Sequence, residues 1–465
     1  MNQLLIIFSL LFLIGNYFSY KEKVNYRYLF PILAAAEIGS AIALYQWSGY
    51  SNELIIVTSS MLIFTLISYT LPHFLPRLQG LIWAEISFLV QTSSFMLFRI
   101  NPSLAIRHII LCFLGLALIL PIHWVVKYFN TSYRYSFLYY ALAVVLLLMN
   151  NVTRYGATNW TKIGDIMYQP SEFVKILFSL FLASFLLKKY TWKGFLSASV
   201  LSFSIIAILV RQKDLGAAFI FFTIYVVITY MYSHNKVLLL FQFLAAGIAA
   251  IASIQLFHHV QVRIISWLYP FQYAQKEGFQ IVRSLQALMN GKWWGTGLGR
   301  GNPDRIPVVT SDFLFAAIGE EYGSLYLILF LVHFFFLILL LYNQCLKSRN
   351  KFYFYTGTGL TTMLAIQGFL IMAGSSGMIP LTGVVLPFVS YGGSAMVGNF
   401  AIVAMIENMT KLSQTKISDN EGDRPVHSLA KYIKILKIFV FILYLSHALY
   451  LIWLFQFWQM PNISN

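Results

Sequence analysis

The sequence predicts an all-α polytopic membrane protein, and three observations carry that prediction. The 465-residue chain is 59% hydrophobic and only 10% charged, whereas an ordinary soluble protein is about one-quarter charged. A soluble globule keeps a polar skin, so a bilayer is the solvent that tolerates this composition. Apolar runs of the ~20 residues needed to cross the hydrocarbon core recur along the whole length. The shortest and most purely basic connecting loops all fall on one side of the resulting topology.

Taken in order, these runs give about fourteen spans by the hydropathy criterion. They lie near residues 3–20, 28–47, 54–71, 81–98, 106–126, 136–150, 170–187, 194–210, 214–232, 237–258, 322–342, 354–374, 388–409 and 433–457. The first run lacks a basic n-region and a small-x-small cleavage site, and its basic cluster follows it. It therefore reads as an uncleaved helix with its start outside. On this orientation most of the 32 Lys and Arg residues are cytoplasmic, as membrane topology favours. Residues 188–193, 343–353 and 410–432 are then inside, and the loop near 160 and the segment 259–321 outside.

The outer face nevertheless holds Arg99, Arg107, Arg154, Lys162, Arg211, Lys213, Arg263, Lys276, Arg283, Lys292, Arg300 and Arg305. Cations on that side break the usual bias, so they are expected to have work there. The net charge of +16 does not indicate nucleic acid, because no basic domain stands apart from the apolar spans. Two widely separated cysteines, Cys112 and Cys345, exclude a disulfide framework and a Cys-rich metal site. The segment 259–321 is too long and polar for a simple turn, and reads as folded onto the outer membrane face.

An ionised side chain at mid-bilayer costs about 2.5–3.5 kcal/mol even on a lenient scale, so charges in or beside spans need partners or a wet cavity. Three places stand out. In "GATNWTKIGDIMYQPSEFVKILF", Pro170 suits a first helical turn, and Glu172 and Lys175 share one helical face. They can pair with each other or with a ligand. In "VRQKDLGAAF", Arg211, Lys213 and Asp214 interrupt apolar sequence, either as a plain outer turn or as a site. In "PVVTSDFLFAAIGEEYG", Asp312, Glu320 and Glu321 crowd into a chain with only 16 acidic residues. Asp312 is either a helix N-cap or a general base beside a cation-rich cleft. Glu320 and Glu321 read as placing the next helix.

Smaller signals weigh less. "GKWWGTGLGRG", residues 291–301, is glycine-rich and carries Lys292 and Arg300, but lacks Walker spacing and follows no strand. Glu37 and Glu85 are intramembrane acids that face a polar groove or pair internally. None of the nine histidines has metal-ligand spacing.

Four stretches taken together resemble one family. "YQPSEFVKI", "RQKDLGAA", the run from "GKWWGTGLGRG" to "IPVVTSDFLFAAIGEEYG", and "IPLTGVVLPFVSYGGSAMVGN" stand in the order and spacing of the SEDS proteins (shape, elongation, division and sporulation), the FtsW, RodA and SpoVE group. The resemblance covers about residues 81 to 410. It implies a ten-helix core, with three extra N-terminal spans in 1–80, a cytoplasmic linker at 411–432 and one extra C-terminal span in 433–465. It implies a multi-pass protein of the bacterial cytoplasmic membrane. The implied activity is an inverting glycosyltransferase that polymerises lipid II, the undecaprenyl-diphosphate-linked disaccharide pentapeptide, into peptidoglycan. The implied partner is a class B penicillin-binding protein, a transpeptidase.

The family's essential acid falls on Asp312, within Ser311, Asp312 and Phe313. Lys175, Arg211, Lys213, Arg283 and Lys292, with Glu172 and Asp214, are the residues implied to hold the lipid diphosphate. The only cofactor left open is a divalent cation, Mg or Mn, at that diphosphate, and no acidic cage for one is visible. Departures from the family pattern lie at Pro307, Val308 and Thr310, at Lys213 and Ala217, and at Arg283 and Ser284. The rival readings are a lipid II flippase, which has no chemical need for an outer base, and a non-enzymatic scaffold for the transpeptidase.

Overall fold

The computed structural model describes residues 1–128, 135–154, 157–164, 166–188, 191–415 and 429–457. Three helices come first: α1 (Asn2–Tyr20), α2 (Phe30–Ser48, entered through a 3-10 turn at Tyr26–Leu29) and α3 (Asn52–Phe74). A second series follows: α4 (Gly80–Ile100), α5 (Pro102–Ala117), α6 (Ile119–Tyr128), α7 (Ser136–Leu148), α8 (Pro170–Lys188), α9 (Trp192–Arg211), α10 (Leu215–Ser233) and α11 (Lys236–Leu256). The large outer segment carries α12 (His258–Leu268), α13 (Phe279–Gly291) and α14 (Leu314–Tyr322). Then come α15 (Ser324–Leu346), α16 (Lys351–Ser375), α17 (Gly393–Thr415) and α18 (Ala430–Phe457).

Side chains cap several of these starts: Ser51, Asn101, Thr191, Asp214 and Asn350 each accept from a backbone N–H of the first turn. Such caps satisfy donors that a helix cannot satisfy internally. That matters most where little water is at hand.

Among the described residues, twelve helical segments are long and apolar enough to span a membrane. The span expected near 106–126 is one membrane crossing broken at Leu118 into α5 and α6. The one expected near 136–150 is the 13-residue α7. The one expected near 388–409 begins only at Gly393, after an irregular stretch. The loop near 160 departs from an all-α chain: Val152–Arg154, Ala157–Ile163 and Ile166–Tyr168 form a small antiparallel sheet. Backbone groups leaving the membrane need partners, and a turn at Gly164, at φ +60°, folds the last two strands together.

Helices α4 and α16 are wrapped along their whole length by neighbours, whereas α11 is almost entirely bare. The three first helices are bonded to the second series through the membrane interior. Asn16 on α1 donates to Glu85 on α4 at 2.7 Å, and Glu85 pairs with His333 on α15 at 2.9 Å. The other ring nitrogen of His333 lies 3.2 Å from the Ser9 carbonyl on α1. Glu37 on α2 accepts from Thr65 on α3 at 2.5 Å. Both intramembrane acids thus find hydrogen-bond partners on neighbouring helices, Glu85 with Asn16 and His333 and Glu37 with Thr65. At the other end of the chain, α18 packs on α15 and α16; Tyr444 donates to the Ala365 carbonyl at 2.8 Å.

The faces are sorted consistently. Asn2 bonds to the outer segment at Trp294 and Glu321, while Tyr20, Asn343 and Lys437 meet at the opposite face. Within the outer segment α13 buries Ile281, Val282, Leu285 and Leu288 against α14. The two helices approach so closely that a Cβ on Gly291 would lie 2.0 Å from the Gly319 carbonyl.

Candidate active site at the outer face

The irregular stretch between α16 and α17 is where the four sequence motifs meet. The Tyr391 N–H donates to the Thr310 carbonyl at 2.9 Å, and the Ser390 hydroxyl to the Ser311 carbonyl at 2.5 Å. Thr382 offers its carbonyl to Arg263 at 3.1 Å. The Val385 carbonyl accepts from Gln367 at 2.8 Å, and Gln367 in turn accepts from Lys175 at 2.9 Å. Gly216 lets α10 lie against the same stretch, since a Cβ there would stand 2.6 Å from the Thr382 carbonyl. One segment thus positions the Asp312 loop, the start of α10 and the interior of α8.

Asp312 is half-buried and lies two residues before α14. Its carboxylate caps nothing: the helix N-cap is Phe313, with no side-chain cap bond. The hydroxyl of Ser311 donates to its Oδ1 at 2.8 Å. Burial pushes its pKa up from the ordinary carboxylate value, while the Ser311 hydrogen bond and the Arg263 charge pull it down. The loop is held in a costly shape. Val308 sits at φ +52°, unusual for a β-branched residue, and its carbonyl accepts from the N–H groups of Ser311 and Asp312. Lys213 at φ +61° and Phe388 at φ +64° are strained in the same sense nearby. Such residues cost on the order of 1–3 kcal/mol each and cluster where function over-determines the backbone.

Asp214 caps α10 through the Ala217 N–H at 3.1 Å and accepts from Asn159 of the small sheet at 2.7 Å. Arg263 on α12 feels both Asp214 and Asp312 electrostatically. His259, one turn earlier, has its pKa lowered by burial and then by Arg263, Lys213 and His258. Arg263 and Lys213 make this a cationic patch beside the two carboxylates. Arg263 was counted in the sequence among the outer cations and not as a site residue. Its signal was faint: a single arginine on an otherwise uncharged amphipathic helix.

The remaining sequence candidates are dispersed. Glu172 and Lys175 are buried and pair at 2.6 Å, and they are joined to the site indirectly, through Gln367 and Val385 and through Gln169, whose side chain donates to Asp214 at 3.3 Å. Arg211 and Lys213 are exposed where α9 turns into α10. Arg283 lines a separate outer cavity with Arg305, Asp304, Phe279 and Pro307. Lys292 is exposed at the end of α13. Glu320 is held by Asn290 at 3.4 Å, and Glu321 by the Gly299 N–H at 2.9 Å and Arg99 at 3.1 Å. Both anchor α14 to its surroundings.

A divalent cation fits this face poorly. Among the described residues no three His, Cys, Asp or Glu side chains gather as a metal cluster. The two carboxylates nearest the patch, Asp214 and Asp312, both act electrostatically on Arg263.

Known proteins resemble this chain in sequence and in fold. A family model for FtsW, RodA and SpoVE, described as cell cycle protein, matches residues 73–415. The chain is 33% identical over 276 residues to a peptidoglycan glycosyltransferase RodA of Mycobacterium tuberculosis, covering 55% of this chain and 58% of that protein. The chain thus spans less than two-thirds of the length of the mycobacterial relatives it matches. It is 30% identical to a probable peptidoglycan glycosyltransferase FtsW of Wigglesworthia glossinidia brevipalpis, covering 62% of this chain and 77% of that one.

Among solved structures, a chain of a peptidoglycan synthase complex superposes with a TM-score of 0.62 at 21% identity, covering 72% of this chain and 98% of that one. RodA of Thermus thermophilus superposes with a TM-score of 0.54 at 20% identity, covering 72% and 97%. These two share the fold. The protein is a multi-pass protein of the cytoplasmic membrane and belongs to the FtsW/RodA/SpoVE family.

Proposed function

We propose that this chain is a peptidoglycan polymerase that extends glycan from lipid II at the outer face of the cytoplasmic membrane. The observation that carries the reading is Asp312: a half-buried carboxylate on a strained loop, free of any capping duty, beside a cationic patch. The 4-hydroxyl of the acceptor sugar attacks the anomeric carbon of the donor glycan, and its proton passes to the Asp312 carboxylate. A sugar hydroxyl is a poor nucleophile at neutral pH, and a base within hydrogen-bond reach remedies that. The bond from the anomeric carbon to the diphosphate oxygen breaks, so an α-linked donor becomes a β-1,4 bond in one displacement. The electron pair leaves on the lipid diphosphate. Arg263, with Lys213 near it, supplies positive charge where that negative charge develops, and a guanidinium can bind phosphate oxygens bidentately.

A transpeptidase of the class B penicillin-binding type is the proposed partner. The likeness to a chain of a peptidoglycan synthase complex supports an assembly of this kind. The test is polymerisation of labelled lipid II by the purified protein, with and without such a transpeptidase. The parent makes glycan, and Asp312→Asn loses about 10²-fold or more of the rate, the usual contribution of a general base. An Asp312→Asn protein that polymerises at the parental rate would return this carboxylate to a structural role.

A further inference from the structure

The glycine-rich stretch 291–301 is the one sequence motif that the active site does not absorb. Its backbone is not free to cradle phosphate. The Gly295 N–H donates to Gly291, Thr296 to the Glu320 carbonyl and Gly297 to the Glu321 carbonyl. Leu298 donates to the Asn2 side chain, Gly299 to the Glu321 carboxylate and Arg300 to the Gly297 carbonyl. Six consecutive donors are thus spent inside the protein. What the stretch offers to solvent is side chains.

Those side chains line a cavity of about 470 Å³ between the stretch and the outer ends of α1 and α2. Trp294, Trp47, Gln3, Gln46 and Arg300 face it. Trp294 is 52% exposed, and its ring stacks on no other described ring. Trp47 has the Arg99 guanidinium over its ring, 4.2 Å from the centroid, which leaves it fixed in place. Arg300 is exposed and has no carboxylate partner among the described residues. The cavity is rigidly built: Asn2 donates to the Trp294 carbonyl at 2.9 Å and to the Glu321 carbonyl at 2.5 Å.

We propose that this cavity is a binding site for a glycan strand, a β-1,4-linked chain of N-acylated amino sugars bearing carboxylates. The flat indole of Trp294 suits the C–H face of a pyranose ring, which is apolar while its rim is polar. Gln3 and Gln46 each carry a donor and an acceptor, the pairing that hydroxyl and acetamido groups need. Arg300 matches a pendant carboxylate. The volume lies within the range of small-ligand sites.

Placement supports the same occupant. Helix α14 joins the two places: Asp312 lies just before its start, and Glu321, bonded to the glycine-rich stretch, lies near its end. The nine residues of α14, at 1.5 Å each, span roughly 14 Å, a distance that a strand of a few sugars bridges. The identity of the strand rests on the polymerase reading, in which glycan is the molecule that grows at Asp312. The site would hold the strand between additions, and it is formed with α1 and α2, which lie outside the family match.

The test uses the full-length protein in nanodiscs. The probes are a peptidoglycan tetrasaccharide with its peptides and the neutral tetramer of N-acetylglucosamine, titrated by tryptophan fluorescence. The parent binds both saturably, and Trp294→Ala weakens both by about tenfold, on the scale of a lost stacking contact. Arg300→Ala weakens only the carboxylate-bearing probe. With lipid II, Trp294→Ala releases shorter chains than the parent. Parental affinity in Trp294→Ala, or no binding by the parent, overturns the site. Quenching of Trp294 by spin-labelled lipid headgroups with no effect of either sugar would instead make it an interface anchor. Binding by a parent that cannot polymerise lipid II would keep the site and sink the polymerase reading; polymerisation without binding would do the reverse.

Discussion

The Ser390 hydroxyl donates to the Ser311 carbonyl at 2.5 Å, so the stretch before α17 holds the residue next to Asp312. The same hydroxyl accepts from the Leu386 N–H at 3.0 Å. One side chain thus ties the turn to the Asp312 loop across 79 positions of sequence. Ser390→Ala should lower the polymerisation rate by about tenfold to 10²-fold, because small displacements of a reacting group are costly. It should leave expression and lipid II affinity near the parent. A parental rate would show that the loop needs no such tie, and a matching loss of affinity would point to general unfolding.

Arg263 sets the second expectation. Burial raises the pKa of Asp312, and the Arg263 charge opposes that rise. A base must be ionised, so the rate should fall as pH drops through the Asp312 pKa, at a pH above the ordinary aspartate value of ~3.9. Arg263→Gln removes a charge that lowers this pKa. The acid limb of kcat/KM should therefore move to higher pH, together with a general loss of rate from poorer charge stabilisation of the diphosphate. A limb that stays in place, or moves down, would show that Arg263 and Asp312 do not act on each other.

Arg263 also marks where sequence reasoning stops. The spans were legible because each is a long apolar run, and Asp312 because carboxylates are scarce in this chain. The electrostatic influence of Arg263 on Asp312 depends on α12 being held at Thr382, 119 positions from Arg263, which no local pattern encodes. The same holds for Asn2, bonded to Trp294 at a separation of 292 positions. The small sheet near residue 160 escaped notice because its strands of three and seven residues are too short for a clear alternation. Helix α7 was legible in type but shorter than its apolar run suggested.

Lys175 is the place where the structure changes the expected outcome of a substitution. The family resemblance implies that Lys175 helps to hold the lipid diphosphate, so that its loss would weaken binding. In the fold, Lys175 is 1% exposed, pairs with Glu172 at 2.6 Å and donates to Gln367 at 2.9 Å. Removing one partner of a buried pair leaves the other charge uncompensated and typically costs about 3–5 kcal/mol. Lys175→Met should therefore lower the thermal midpoint in detergent, and Glu172→Gln with Lys175→Met should recover most of it. A single variant with the parental midpoint and a lost affinity for lipid II would place Lys175 in ligand binding instead.

Topology supplies the last expectation, and the buried cysteines make it easy to read. Cys112 and Cys345 are free and almost completely inaccessible, so a thiol reagent should meet little background in the parent. Asn302 is exposed in the outer segment, and Lys23 is exposed at the opposite face, beyond the end of α1. The bias of short basic loops puts the Lys23 face in the cytoplasm. Asn302→Cys in intact cells should react with a membrane-impermeant maleimide, whereas Lys23→Cys should react only after the membrane is opened. The pairing of sites matters, because a single unreactive cysteine could be shielded by a partner, but two sites with opposite behaviour could not both be. The reverse pattern would invert the whole protein, put Asp312 and its cationic patch in the cytoplasm, and leave the outer-face polymerase reading without a site.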